Sequence, residues 1–106
     1  MRNTQATMPF THLLGHLSAG SFEQQINKDL ATIARQVVAT GERGAMVIKL
    51  RFKLIGESQQ VTMTHSLRSI IPQLQGRVIE ETASKTPLLV GRDGQLQLHQ
   101  PTGFND

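Results

Sequence analysis

Two histidines, His12 and His16, stand four residues apart near the amino terminus of the chain. On a helix, this spacing brings two imidazole rings to the same side, within reach of one metal ion. The glutamate of a zinc-binding HExxH motif is missing, and no third ligand is apparent in the sequence. We therefore expect no metal site, and the role of the two histidines stays open.

The other reactive side chains lack the partners that catalysis requires. His65 falls in an apolar row of a predicted strand, with no acid or nucleophile assigned to it, so its role also stays open. The adjacent Glu80 and Glu81 are expected to point apart and remain solvated. The glycines of GRDG, residues 91–94, indicate a turn, because they lack the strand-to-helix setting of a phosphate-binding loop. We expect no catalytic residues, no cofactor and no enzymatic activity.

Three cations at alternate positions, Lys49, Arg51 and Lys53, share one face of a predicted strand, and Arg68 is expected beside them on the next strand. Side chains two residues apart on a strand are separated by about 7 Å. This spacing is close to that of phosphates along a nucleic-acid backbone, so these four residues are the candidate binding site for nucleic acid or an acidic protein surface. An ordinary solvated sheet face has the same composition, and lysines there also discourage aggregation.

Composition and charge narrow the class of protein. The 106 residues fit one domain, and the net charge of +3 is too mild to identify a nucleic-acid partner by itself. The charge is concentrated, because the segment from Arg43 to Arg77 holds six cations and one acid. The absence of cysteine excludes disulfides and thiolate metal sites and fits a reducing cytoplasm. No apolar run is long enough to span a membrane, so we expect no membrane contact.

Hydrophobic periodicity predicts two helices before the strands. A short helix is expected from Thr11 to Gly20, and a longer one from Ser21 to Gly41. Apolar residues spaced three or four apart form one face of the longer helix. They are Phe22, Ile26, Leu30, Ile33 and Val37.

Strict alternation over residues 45–54 predicts a strand with one apolar face, which we expect in the core. The residues of this apolar face are Met46, Ile48, Leu50, Phe52 and Leu54. A turn at Gly56 leads to a second strand, which is expected to end near Ile71 because Pro72 cannot donate to the ladder. A smaller hairpin is predicted around Asp93 and Gly94. Between the hairpins, residues 73–86 show no sustained period and are predicted to be a mobile loop.

The predicted fold class is α+β, with two N-terminal helices packed on an antiparallel sheet built from two β-hairpins. Residues 1–106 form a single domain, in which residues 1–9 are a loose terminus, 10–101 the folded core and 102–106 a tail. One good helix can hardly cover two hairpins. We therefore expect a homodimer that buries the surplus apolar surface.

Four segments follow one another in a distinctive order. They are the helix end ATGERG, the strand AMVIKLRFKL, the returning strand VTMTHSLRSIIP and the closing segment ETASKTPLLVGRDGQLQLHQP. Over about Phe10 to Pro101, this order resembles small uncharacterised accessory proteins of bacteriophages and prophages. The resemblance implies a phage accessory protein acting in the bacterial host cytoplasm, without functional residues to carry over.

We therefore predict a non-catalytic binding protein that uses its basic hairpin face. Two alternatives stay open. One is a phage-encoded inhibitor of a host defence complex, of the anti-CRISPR type, that binds a host protein. The other is a protein that sequesters a nucleotide.

Overall fold

The computed structural model describes residues 9–98. Helical residues come first and four strands follow. The elements are α1 (Phe10–His16), a 3-10 turn (Leu17–Gly20), α2 (Ser21–Thr40), β1 (Ala45–Leu54), β2 (Gln60–Gln73), β3 (Gly76–Val90) and β4 (Leu96–Leu98). The strands form one antiparallel sheet in the order β1-β2-β3-β4. No helix in residues 9–98 combines the length and apolarity of a membrane span.

The predicted fold class is wrong in its helical layer, because residues 10–40 form one contiguous helical segment with a kink and not two separate helices. The 3-10 turn joins α1 to α2, and the N–H of Ser21 donates to the carbonyl of Ser18. Ser18 and Ala19 take left-handed backbone angles, with φ of 52° and 56°, so the backbone is not helical at these two residues and the segment is kinked there. The fold is α+β, with one helical segment packed on a four-stranded antiparallel sheet.

The sheet also differs from the predicted pair of hairpins. Residues 76–86 of the segment predicted to be a mobile loop, residues 73–86, lie in β3, which pairs with β2 from Gly76 opposite Gln73 to Leu89 opposite Gln60. β2 also continues through Pro72. That is possible because β1 begins opposite Ile70, so the missing N–H of Pro72 faces no β1 partner.

The core lies between α2 and the central strand β2. Seven buried side chains form one cluster, namely Leu13, Leu17, Phe22, Ile26, Met63, Leu67 and Leu88. The odd-numbered residues of β2 face the helix, so Met63 and Leu67 are 0% and 2% exposed. Leu30, one of the five residues of the predicted apolar face of α2, does not lie in the core. It is 48% exposed, because it lies on the flank of the helix.

The prediction that the apolar face of β1 lies in the core is wrong for three of its five residues. Ile48, Phe52 and Leu54 are 40%, 52% and 59% exposed, whereas Met46 and Leu50 pack partly against the core. The helical segment lies over β2 and leaves much of β1 uncovered. Two predicted segments lie outside the described residues. They are residues 1–8 of the loose terminus predicted at 1–9, and the tail predicted at 102–106.

Candidate cationic site on the open sheet face

The sheet face opposite the helix carries the sequence-predicted cations. Antiparallel pairing places Lys49 opposite Ser66, Arg51 opposite Thr64 and Lys53 opposite Thr62. Because side chains alternate across a strand, these odd-numbered residues of β1 point away from the helix that covers the odd-numbered residues of β2. The three cations are exposed and project from this face.

Arg68 lies on the same face but differs from the other three. Its Nε is 3.9 Å from Glu81 Oε2 on β3, and both side chains are well exposed. This is the only ion pair among residues 9–98, so Lys49, Arg51 and Lys53 have no carboxylate within 4.0 Å in the described part of the chain. The positive charge of the face is therefore concentrated on β1, while that of Arg68 is partly compensated.

Two further exposed cations of β3 belong to this face, and the sequence-predicted site includes neither: Arg77, opposite Pro72 at the start of the strand, and Lys85. Lys85 of β3 lies opposite Thr64, so the row across the sheet runs Arg51, Thr64, Lys85. The loop that the sequence predicts over residues 73–86 gives these two cations no place on the sheet. Pairing residues 76–90 with β2 as a strand does place them on this face. We call Lys49, Arg51, Lys53 and Lys85 the cationic face.

Aromatic side chains are absent from the cationic face within residues 9–98. Phe10 and Phe22 belong to the helical segment, and Phe52 points to the helix side of the sheet. The face therefore offers charge, hydroxyls such as those of Thr62 and Thr64, and the exposed apolar side chains of Val47 and Ile79, but no platform for stacking bases. Its chemistry suits phosphate or carboxylate groups.

A serine and a histidine meet beneath the bend in the helical segment. The almost fully buried His65 has its Nε2 3.2 Å from Ser18 Oγ, and its ring contacts Phe22 edge-to-face at 4.5 Å between centroids. Burial lowers the pKa of His65 by removing water from the charged form. Its Nδ1 has no hydrogen-bond partner among the described residues.

The Ser18–His65 contact does not extend to a catalytic triad, because no acid of residues 9–98 holds the second ring nitrogen. The buried Asp29 is engaged elsewhere. Its Oδ2 accepts a hydrogen bond from Ser69 Oγ and its Oδ1 accepts one from Gln25, both at 2.8 Å.

The two helical histidines do lie together. The ring centroids of His12 and His16 are 4.4 Å apart, and His16 Nδ1 lies 2.9 Å from the carbonyl oxygen of His12. Both side chains are exposed. No group of three or more potential metal ligands occurs in residues 9–98.

Fold and face together define a class of small α+β domain, in which one helical segment packs on β2 of a four-stranded antiparallel sheet whose other face is open and carries the cations. The chain belongs to the YfdP family, whose model matches residues 9–96. It is similar to the uncharacterized protein YfdP of Escherichia coli strain K12, with 30% identity over 87 residues, which is 82% of this chain and 72% of that protein. No solved structure matches the chain. Its resemblance to an uncharacterised family is thus confirmed, and a phage origin stays a prediction.

Proposed function

We propose that this protein is a non-catalytic binding protein whose cationic face engages the backbone of nucleic acid. The observation that carries the proposal is the row of Lys49, Arg51 and Lys53, which are exposed at alternate positions and have no ion pair among residues 9–98. Lys85 adds a fourth charge two strands away. Clustered cations without neutralising acids attract a polyanion and release its counterions on binding.

The geometry of the face suits phosphate groups. Cations two residues apart on β1 are separated by about 7 Å, and Arg51 and Lys85 are about 10 Å apart across the sheet. Thr62, Thr64 and Ser66 of β2 lie opposite the three cations of β1, and Thr64 lies between Arg51 and Lys85. Contacts of this kind position a nucleic acid without reading its bases. Binding is therefore expected to be independent of sequence.

The other predicted functions remain hypotheses. A phage-encoded inhibitor of a host defence complex would use the same cations against an acidic protein surface, and a nucleotide-sequestering protein would use them against a small phosphate ligand. The absence of cysteine from the chain supports a cytoplasmic location as part of this proposal.

The predicted homodimer also stays a hypothesis. An antiparallel pairing of β1 with β1 of a second copy would bring together the exposed apolar side chains of the two strands. It would also bring Lys49, Arg51 and Lys53 beside the same cations of the other copy, and like charges across a ladder are destabilising. Sedimentation equilibrium at two salt concentrations measures this association, which we expect to increase with salt if β1 is the contact.

The proposed function is tested by titrating labelled single- and double-stranded DNA with the protein at 50 and 200 mM salt. Four phosphate contacts predict that affinity falls about a hundredfold between these concentrations. Replacing Lys49, Arg51, Lys53 and Lys85 together by Gln is expected to abolish binding. Each single replacement is expected to reduce the salt slope by about one.

The matched control replaces two exposed cations of α2, Lys28→Gln and Arg35→Gln, which removes charge without touching the sheet. This variant is expected to retain most of the affinity. Binding that is indifferent to salt, or that survives in the fourfold sheet variant, would rule out the proposed site.

A further inference from the structure

The outer edge of β1 is an unpaired strand edge within residues 9–98. The strand is ten residues long and pairs with β2 along its whole length on one side. No strand pairs with its other side in the described part of the chain. An exposed edge of this length offers a row of backbone donors and acceptors to another extended chain.

A second open edge in the same sheet provides a comparison. β3 pairs with β4 only at residues 88–90, so most of its outer edge is open within residues 9–98. Its exposed side chains on the helix side are Val78 near the start of the strand and then the polar Glu80, Thr82 and Ser84, as expected for a surface in contact with water. The corresponding exposed residues of β1 are Ile48, Phe52 and Leu54.

The helix contributes to this apolar surface. Leu30 and Val37 are seven residues apart, so they lie along one flank of α2. A Cβ at Gly44, the residue before β1, would lie 2.6 Å from Ile33 Cγ2 and 3.1 Å from Val37 Cγ2, so the Val37 side of α2 faces the start of β1. The exposed Leu30 therefore lies on the side from which an added strand would approach. Ile48, Phe52, Leu54 and Leu30 are called the apolar row.

Charge determines which strand fits. A chain added beside β1 would place alternate side chains against the apolar row and the others beside Lys49, Arg51 and Lys53. A second copy of β1 supplies the apolar half of this pattern but opposes cations with cations. No two acidic residues of this chain stand two positions apart, so none of its own segments supplies the acidic half.

We infer that the outer edge of β1 accepts an extended segment of another protein in which acidic and apolar residues alternate. The acidic side chains pair with Lys49, Arg51 and Lys53, and the apolar ones cover Ile48, Phe52 and Leu54. Nucleic acid could use the same cations but would leave the apolar row bare. This inference therefore goes beyond the proposed function, although both use the charges of β1.

The test uses fluorescence polarisation of a labelled peptide of about ten residues, matching β1 in length, in which glutamate and valine alternate. The protein is expected to bind it at low salt. A peptide of the same composition, with its glutamates and valines in separate blocks, has the same charge but cannot present two distinct sides. We expect it to bind at least about tenfold more weakly.

Two further measurements separate strand pairing from charge attraction. The double variant Ile48→Thr with Phe52→Thr keeps the three cations of β1 and introduces threonine, which favours strands. It is expected to bind the peptide about tenfold more weakly, because apolar contact area is lost. Val78→Thr makes a similar change on β3 and is the matched control, expected to bind as the unaltered protein does. In the peptide, N-methylation of alternate amides in one register is expected to abolish binding, and in the other register to preserve it.

The outcomes are distinguishable from those of the proposed function. Absence of peptide binding at low salt, or equal binding of the alternating and block peptides, would overturn the inference, and DNA titration would still decide the proposed function. Loss of peptide binding in the Ile48/Phe52 variant with unchanged DNA binding supports it. A stable dimer that this variant dissociates would assign the apolar row to a second copy and overturn it.

Discussion

β1 and β3 flank the same central strand and are exposed in much the same way, but their chemistry differs. One row across the sheet runs Ile48, Leu67, Thr82, and the buried leucine lies between two exposed neighbours. A helix is about 10 Å across and strands are about 4.8 Å apart, so one helical segment covers about two strands. Both edges are therefore left open. On the helix side, the exposed side chains of β3 are polar except for Val78, whereas those of β1 are apolar.

The difference teaches that exposure alone does not explain the apolar row. If β1 simply faced water, residues like the threonines and serine of β3 would serve there. The predictions below test the contrast between the covered strand and its two open neighbours, beginning with the largest effect.

The largest effect on stability is expected at Leu67, the buried residue between Ile48 and Thr82. Leu67→Ala should lower the free energy of unfolding by about 2–5 kcal/mol, because it removes buried contacts and leaves a cavity. Thr82→Ala, in the same row on β3, should change it by less than about 1 kcal/mol. Urea denaturation measures both. Equal losses would mean that β3 is covered as fully as β2.

A buried polar contact is expected to give the next largest effect. Ser69→Ala removes the hydroxyl that donates to the buried Asp29, and should cost about 1–3 kcal/mol because the carboxylate keeps only its bond from Gln25. Ser84→Ala is the control, since Ser84 is exposed on β3. Urea denaturation of the two variants under identical conditions gives the comparison. A neutral Ser69→Ala would show that water replaces the hydroxyl.

The third prediction concerns His65, which lies between Leu50 and Ser84 across the sheet. Burial lowers its pKa in the folded state below the ordinary value of 6.5, so the folded protein favours the neutral ring. The unfolded chain then binds more protons as the pH falls through 6.5, and stability should decline below that pH and level off beneath the folded-state pKa.

Urea denaturation at a series of pH values measures this decline. His65→Gln should remove the part of the decline that begins at the ordinary histidine pKa, leaving that of the carboxylates. An unaltered profile in this variant would assign the effect to other groups.

The smallest effect on stability is expected on the open face. Glu81→Gln breaks the exposed pair with Arg68 and should change the free energy of unfolding by less than about 1 kcal/mol. By leaving Arg68 uncompensated, it should tighten DNA binding and steepen its salt dependence by about one contact. Glu80→Gln removes the same charge from the opposite face of β3. If both variants tighten binding equally, net charge is responsible and not the face.

Alternation was enough to predict much of the candidate site. The shared face of Lys49, Arg51 and Lys53 follows from the two-residue period of a strand, and β2 brings Arg68 to the same side. Lys85 could not be predicted in the same way. β3 is open on both faces over much of its length, so its hydrophobicity does not alternate and periodicity gave no strand.

The amino-acid sequence by itself determined which side chains share a face, because backbone geometry sets the period of a strand and of a helix whatever surrounds them. It also determined where α2 ends, since Gly41 adopts the left-handed angle that closes the helix. Only the tertiary structure decided which of these faces are buried. That depends on the width of one helical segment against four strands, so Met63 is enclosed while Phe52, directly opposite it, is half exposed.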